Sequence, residues 1–200
     1  MVTYSFDIIN WTLQELAKLD TKTRRFLTTY KMHHPKSDVD RLYLPITEGG
    51  RGLIQVTLSY KSTTIGLDKY LQETQDTILH FVEDRDDRKS LYSINRQSVK
   101  FSRELRVPAI PAAEDEANTT YAHRTKAIAK HRGRQHLRSK WESKALHHKY
   151  PQLVKQADVN QDKTHRWLKA AGLKAEIEGF IIAAQDQSLP AQWLYCHNLY

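Results

Sequence analysis

Apolar residues recur every three or four positions in several stretches of the chain, which is the spacing of one face of an α-helix. Two such sets occupy the N-terminal stretch: Ile9, Leu13 and Leu16, then Phe26, Leu27 and Tyr30. Asp20 lies between the two sets, and aspartate is a preferred residue at helix N-termini. The pattern therefore predicts two short helices here, with the second beginning at Asp20.

The same spacing predicts helices further along the chain. An amphipathic stripe runs from Ile65 to Val82. Pro151 opens a short helix, since proline is tolerated in a first helical turn, and the stretch THRWLKAAG ends at Gly172, a residue type that favours helix C-termini. The last helix is predicted to bury one face, which consists of Leu173, Ile177, Phe180, Ile181 and Ala184.

The segment between residues 35 and 56 has a different pattern. Two short apolar runs, Leu42–Leu44 and Leu53–Val56, flank the string EGGRGL and predict strands. The adjacent glycines predict a tight turn in which Gly49 or Gly50 has a positive φ angle. Only seven glycines and six prolines occur in 200 residues, which argues against an all-β fold with many turns. The predicted fold class is mostly α, with at most one short β-hairpin.

The composition changes most sharply before residue 121. The string VPAIPAAEDEANTT combines two prolines with three consecutive acids, a composition typical of linkers. We therefore predict three parts: a helical unit over residues 1–82, a poorly ordered connector over 83–120 and a basic helical unit over 121–200.

The net charge of the chain is concentrated in residues 121–149. This segment holds nine Lys or Arg, five His and the single acid Glu142, whereas the whole chain has 31 basic and 23 acidic residues and a net charge of +8. The rest of the chain is therefore neutral. Leu137, Trp141 and Ala145 are spaced by four, which predicts a helix with a narrow packed stripe and a wide basic face. Gly133 is expected to break this helix in two.

A charge this one-sided favours an anionic partner. A helix face that is only solvated usually mixes both signs, whereas Lys and Arg interleaved with aromatic and imidazole rings are typical of proteins that bind nucleic acids. The sequence predicts RNA or DNA as the partner. The predicted backbone contacts are Arg124, Lys126, Lys130, Arg132, Arg134, Arg138 and Lys140.

Other chemistry has little support in the sequence. The single cysteine, Cys196, excludes an internal disulfide and a cysteine-based zinc site. Acids in the run 83–89 alternate with bases, which is typical of a solvated helix face rather than a metal site. Neither a phosphate-binding loop nor a nucleophile elbow is present. No apolar run is long enough to span a membrane and the first residues lack a signal-peptide pattern, so we expect an intracellular protein without membrane association.

Two blocks of the sequence resemble one protein family. The strings VTYSFDIINW, LDTKTRRFL, HHPKSDVDRLYLP and EGGRGL resemble a block of the reverse transcriptases of non-LTR, target-primed retrotransposons of the restriction-like endonuclease class. In that family the block follows the polymerase palm, where the chain enters the thumb. The string THRWLKAAGLKAEIEGFIIAAQDQSL is similar to the linker of the same proteins. The resemblance covers residues 3–189 and is weak over 83–120.

The resemblance implies a thumb-like unit followed by a linker, which together hold the backbone of RNA or DNA. The catalytic aspartates of the family would precede Met1, and its zinc knuckle and endonuclease would follow Gln187. We therefore expect a fragment of an RNA-directed DNA polymerase that is inactive alone, has no cofactor of its own and acts with the palm and endonuclease portions of the parent protein. Magnesium is implied for the complete polymerase, and the family implies a nuclear location.

The resemblance also adds candidates in the thumb-like unit. Trp11 and Trp167 are expected to be core residues, because each lies among helix-spaced aliphatic residues. Two alternatives stay open: a basic helical module that docks on an acidic protein or membrane surface, and a fragment of a DNA recombinase or nuclease, which would need acids clustered around a metal ion. The added backbone contacts are Lys22, Arg24, Arg25 and Arg51. Arg51 is expected to contribute to binding and little to stability.

Overall fold

The chain folds into helices joined by turns. A computed structural model describes residues 2–74, 76, 93–111, 117–170 and 172–189. No strand is present among these residues, so the predicted fold class, mostly α, is confirmed. The α-helices of the described ranges are, in chain order, α1 (Leu13–Thr29), α2 (Val39–Leu42), α3 (Val56–Glu73), α4 (Ile94–Leu105), α5 (Asn118–Ser143), α6 (Lys149–Val154), α7 (Gln161–His165), α8 (Trp167–Ala170) and α9 (Ala175–Gln185).

Contacts between residues divide the chain into two compact units. Unit 1 comprises Met1–Leu19 and Gln55–His136, and unit 2 comprises Asp20–Ile54 and Leu137–Tyr200. Helices α1 and α5 each contribute residues to both units. The boundaries of these units differ from those of the three consecutive parts predicted from composition, because each unit joins segments that are far apart in the sequence.

Aromatic rings form the centre of unit 1. Phe6 and Phe101 both meet Tyr60 edge to face, with ring centroids 5.5 Å and 6.1 Å from it, an arrangement that the ring quadrupoles favour. Trp11 packs against this cluster, as predicted. Phe101 belongs to α4 and is 2% exposed, so part of the region predicted as a poorly ordered connector is held by the core of unit 1.

A second apolar core lies in unit 2. Leu42, Tyr43 and Leu44, from the end of α2 and the residues after it, pack with Leu137 and Trp141 of α5. All five side chains are at most 7% exposed. The predicted packing of the apolar stripe of the basic segment is therefore confirmed for Leu137 and Trp141, but it is wrong for Ala145, which is exposed and follows the end of α5.

Helix α1 is continuous, so the predicted helix start at Asp20 is wrong. Thr12 caps the helix instead: its hydroxyl accepts a hydrogen bond from the Glu15 N–H at 3.3 Å, and the Glu15 carboxylate accepts one from the Thr12 N–H at 3.0 Å. This reciprocal pairing is a capping box, and its signature T-x-x-E is present in the sequence. Asp20 lies inside the helix and is 4% exposed.

The two predicted strands are not formed. Val39–Leu42 is helix α2, and residues 53–55 have no regular structure. The two segments still contact each other, because the Leu53 N–H donates to the carbonyl of Leu42 at 3.0 Å. The N–H groups of Gly52 and Arg51 also donate to the carbonyls of Leu44 and Arg41, at 2.8 Å and 3.3 Å. These bonds all run in one direction, whereas a ladder needs bonds exchanged along both segments.

The glycine-rich turn EGGRGL has the backbone that the sequence predicts. Gly49 and Gly52 have φ angles of 78° and 69°, a region that residues with side chains rarely adopt. Gly50 is required for a different reason. A Cβ atom at this position would lie 2.2 Å from the carbonyl oxygen of Leu44.

Helix α5 runs through Gly133 without a break, contrary to the prediction. Gly133 is buried, and a Cβ atom there would lie 2.2 Å from a methyl carbon of Leu58 on α3. The glycine therefore gives room for the Leu58 side chain rather than interrupting the helix. The helix continues through Gly133 although glycine is about 1 kcal/mol less favourable than alanine in a helix interior.

Helix α9 packs with a different face from the predicted one. Ile177 and Phe180 are 47% and 41% exposed, whereas Ile182 is 2% exposed. A Cβ atom at Gly179 would lie 2.8 Å from the carbonyl oxygen of Met32, so the helix approaches the backbone after α1 through its glycine. A pattern of apolar side chains does not mark such a contact, and the predicted face was wrong for that reason.

Three predictions extend beyond the described residues. The amphipathic helix is α3, which begins earlier than predicted, at Val56, and is described as far as Glu73. Its predicted continuation to Val82, the charged run 83–89 and Cys196 lie outside the described residues.

Candidate nucleic-acid interface

The bases of α5 lie on two sides of a buried stripe. Flank A consists of the positions directly after each buried residue of this stripe. Flank B consists of the positions directly before each of these residues. Members of one flank are four residues apart and are neighbours along the helix. Every fourth residue of the helix is buried, namely Tyr121, Thr125, Ala129, Gly133, Leu137 and Trp141.

In unit 1, flank A presents Lys126, Lys130 and Arg134. Neighbours in this row are separated by about 6 Å along the helix axis. None of the three forms an ion pair with an acid among the described residues. Partial burial lowers the pKa of Lys130, and the positive charges of Arg134 and Lys126 lower it further. The row is therefore a concentration of positive charge that forms no ion pair with a described acid.

In unit 2, flank A continues with a base that is neutralised. Arg138 forms ion pairs with Glu48 at 3.3 Å and with Glu142 at 2.9 Å. Glu142 also pairs with Lys155 at 2.7 Å. Burial alone would raise the pKa of Glu142, but the hydrogen bonds from Lys155 and Arg138 lower it. Arg138 is thus held by acids of its own unit.

The unit 1 part of flank B carries Arg124 and Arg132. Arg124 donates a hydrogen bond to the carbonyl of Pro111 at 3.0 Å, and its guanidinium lies 5.6 Å from the ring centre of Tyr121. Arg132 is exposed and donates to the side-chain oxygen of Gln135 at 3.4 Å. The structure therefore separates these two arginines from the row on flank A.

In unit 2, Lys140 of flank B and Lys144, which follows the end of α5, are neutralised by acids at the start of α2. Lys144 pairs with Asp38 and, at 2.6 Å, with Asp40, and Lys140 lies 3.4 Å from Asp40. Burial alone would lower the pKa of Lys144, but its hydrogen bonds to the two carboxylates raise it. The two aspartates are 2% and 6% exposed. These lysines therefore compensate buried negative charge.

The basic segment thus has two electrostatic parts, which the sequence alone does not distinguish. The bases on flank A from Lys126 to Arg134 have no acidic partner among the described residues. The predicted contacts from Arg138 onward pair with acids, most of which come from residues 38–48.

The N-terminal candidates on α1 differ in exposure. Lys22 and Arg25 are exposed and form no ion pair with an acid among the described residues. Arg24 is half-buried and donates hydrogen bonds to the hydroxyl groups of Tyr43 at 3.1 Å and Thr21 at 3.0 Å. Lys22 and Arg25 are therefore accessible to a ligand, while Arg24 is occupied within unit 2.

Arg51 lies among structural contacts, which argue against the expectation that it contributes little to stability. Its side chain is 14% exposed, pairs with Glu178 at 2.9 Å and donates to the carbonyl of Met32. Burial lowers the pKa of Arg51, and Glu178 opposes this effect. The residue connects α9 to the end of α1.

Sequence reasoning missed two features of unit 2. Arg41 is 1% exposed and pairs with Asp186 at 2.9 Å, although arginine is rarely a buried residue type. Phe26 and Tyr30, counted among the apolar positions of a helix, are 57% and 58% exposed, and only Leu27 of that set packs against the core. The string KTRRF could have indicated this exposure, because three of the four residues before Phe26 are bases.

The described residues contain no group of three or more His, Cys, Asp or Glu that could hold a metal ion. No helix in the described part of the chain is both long and apolar enough to cross a membrane. Comparisons with protein-family models, with curated proteins and with solved structures found no match. The candidate contacts are therefore two separate sets, the row on α5 in unit 1 and the exposed bases of α1 in unit 2.

Proposed function

We propose that this chain binds the backbone of RNA or DNA without sequence specificity, as the thumb and linker of a non-LTR retrotransposon reverse transcriptase. In this proposal the chain holds the nucleic acid and carries out no chemistry. The palm and endonuclease portions of such a polymerase are its partners, and magnesium belongs to the palm.

The observation that carries the proposal is the row Lys126, Lys130 and Arg134. Like charges at this spacing repel one another, and a bound anion relieves that repulsion. The lowered pKa of Lys130 reflects both its partial burial and the two neighbouring charges. Bases further along α5 already have acidic partners, so they supply less attraction for an external anion.

The geometry of the row suits a phosphate backbone. The three bases extend over about 12 Å of helix, and one strand of a duplex carries a phosphate about every 3.4 Å along its axis. The spacing of about 6 Å between neighbouring bases of the row is close to that of every second phosphate of one strand, about 7 Å along the axis. Flank A carries no Asn or Gln, the residue types that read adenine in a groove. Contacts to phosphate alone carry no sequence information.

Fluorescence anisotropy with labelled RNA and DNA oligomers of unrelated sequence tests the proposal. The double variant Lys130→Glu/Arg134→Glu places two negative charges in the row. Its affinity should fall about tenfold or more for every oligomer, since phosphate contacts dominate affinity and do not depend on sequence.

The matched control is Lys163→Glu/Lys169→Glu. It produces the same change in net charge at exposed positions of α7 and α8. The control should keep most of the affinity, because the proposal depends on where the charges lie. An equal loss of affinity in both double variants would show that binding depends on net charge and not on the position of the row. A wild-type protein that binds no oligomer at low salt would refute the proposal.

A further inference from the structure

Helix α1 presents two aromatic side chains to solvent. Phe26 and Tyr30 are one helical turn apart, and they are 57% and 58% exposed. Their ring centroids lie 4.4 Å apart at an interplanar angle of 44°, so the two rings form one continuous surface. The opposite side of the helix is packed, since Leu27 contacts the core of unit 2 and Asp20 is 4% exposed. The rings therefore stand on an anchored helix.

Positive charge surrounds these rings. Lys22 lies one turn before Phe26, Arg25 precedes it directly, and both bases are exposed. Neither forms an ion pair with an acid among the described residues. The only acid in residues 20–31 is Asp20, which is buried. We call Lys22, Arg25, Phe26 and Tyr30 the aromatic face.

We propose that the aromatic face is a stacking site for the unpaired bases of a single-stranded nucleic acid, with Lys22 and Arg25 on the adjacent phosphates. The inference rests on the proposed function and adds a second contact of a different kind. Every base has a π-face that stacks on an aromatic ring, and the strand carries the charge that the two bases need. In a duplex the bases stack on one another, so the rings are matched to a strand that is unpaired.

The charge distribution distinguishes this partner from an apolar protein surface. A partner without charge would bury Lys22 and Arg25 without compensation, which is costly. An acidic peptide satisfies the two bases but supplies a flat ring only where it also carries an aromatic residue, whereas every nucleotide carries one. A single strand satisfies both requirements at a spacing of one or two nucleotides.

The test compares oligo(dT) with an abasic oligomer of the same length, which keeps the phosphates and lacks the bases. Stacking contributes about 1–3 kcal/mol per base, or roughly 5-fold to 150-fold in affinity. Wild-type protein should prefer oligo(dT) over the abasic oligomer by about 5-fold or more. In Phe26→Leu/Tyr30→Leu that preference should disappear, while binding of the abasic oligomer stays the same. Leucine keeps apolar area and helix propensity but has no π-face.

Two further variants separate a stacking role from a structural one. Tyr30→Phe keeps the ring, so it should keep the preference for oligo(dT). Tyr4→Leu alters an aromatic residue that is 76% exposed in unit 1, and it should also keep the preference. Loss of the preference in Tyr4→Leu would show that any exposed aromatic residue matters and would overturn the assignment.

The outcomes distinguish this inference from the proposed function. A wild-type protein that binds neither oligomer refutes both. A protein that binds both oligomers equally keeps the proposed function and overturns the stacking site. Retention of the oligo(dT) preference in the double leucine variant overturns it as well. If phosphatidylserine vesicles displace wild-type protein from oligo(dT) but do not displace the double leucine variant, and that variant keeps the preference, the aromatic face is assigned to a lipid surface.

Discussion

The buried ion pair between Arg41 and Asp186 gives the sharpest prediction about stability. The two side chains are 1% and 0% exposed and lie 2.9 Å apart. Arg41 also donates a hydrogen bond to the carbonyl of Gly49 at 2.8 Å, and its guanidinium lies 5.2 Å and 4.7 Å from the ring centres of Trp141 and Tyr150. The guanidinium therefore joins α2, the glycine-rich turn, α5 and the end of α9 at one point in unit 2.

Arg41→Met keeps an apolar stem and removes the charge. Loss of one partner of a buried ion pair costs about 3–5 kcal/mol, and an unsatisfied buried carbonyl at Gly49 adds about 1 kcal/mol. The expected decrease in the free energy of unfolding is therefore about 4–6 kcal/mol. This is a large fraction of the ~5–15 kcal/mol that stabilises a typical domain.

Urea denaturation followed by circular dichroism measures this decrease, because urea does not screen charges as guanidinium chloride does. Arg41→Met/Asp186→Asn removes the unpaired carboxylate and should recover about 2 kcal/mol or more relative to Arg41→Met. Arg25→Met is the control, since an exposed arginine without an acidic partner among the described residues should change stability by less than ~0.5 kcal/mol. A single variant within ~1 kcal/mol of wild type, or a double variant less stable than Arg41→Met, would refute the reasoning.

Three further predictions concern unit 2. Burial, with a contribution from nearby bases, lowers the pKa of His33 to about 4. The unfolded chain binds a proton at this histidine below pH ~6.5, so the free energy of unfolding of wild type should fall by up to ~3 kcal/mol relative to His33→Gln between pH 6.5 and pH 4. Urea denaturation measures this difference. Gly50→Ala should cost about 1–3 kcal/mol, because its Cβ meets the carbonyl oxygen of Leu44. In thermal melts Trp141→Ala should cost about 3–5 kcal/mol, but Phe180→Ala no more than ~1.5 kcal/mol, because these side chains are 2% and 41% exposed.

Each of these predictions has a result that contradicts it. The His33 prediction is contradicted if the difference in stability between wild type and His33→Gln does not change between pH 6.5 and pH 4. For Gly50, an alanine variant as stable as wild type would show that the turn relaxes at little cost. If Phe180→Ala destabilised the protein as much as Trp141→Ala, the face of α9 predicted from the sequence would be the packed one after all.

The helical content and the position of the basic segment followed from local patterns. The spacing of apolar residues marks α1, α3, α5 and α9, and adjacent glycines mark the turn at Gly49. These features depend on residues within a few positions of one another. A closer reading of Thr12 and Glu15 also predicts the true start of α1, because their capping box is local.

Features that depend on distant residues did not follow from the sequence. Gly133 packs against a leucine that lies far from it along the chain, and Arg41 finds its carboxylate 145 positions away. Compensation of Lys140 and Lys144 likewise comes from aspartates about a hundred positions earlier. Composition places the excess charge in one segment but does not show which of its bases have acidic partners. Whether the remaining row binds nucleic acid stays a prediction.

A salt titration of nucleic-acid binding tests the central claim most directly. If Lys126, Lys130 and Arg134 each contact a phosphate of a single strand, log affinity should fall with log salt concentration at a slope of about −2 or steeper, from roughly −0.7 per contact. The variant Lys130→Glu/Arg134→Glu should flatten this slope by about 1.4, equally for RNA and DNA of any sequence, while Lys163→Glu/Lys169→Glu leaves it unchanged. A wild-type slope near zero, or the same slope in wild type and Lys130→Glu/Arg134→Glu, would contradict the claim that this row grips the backbone.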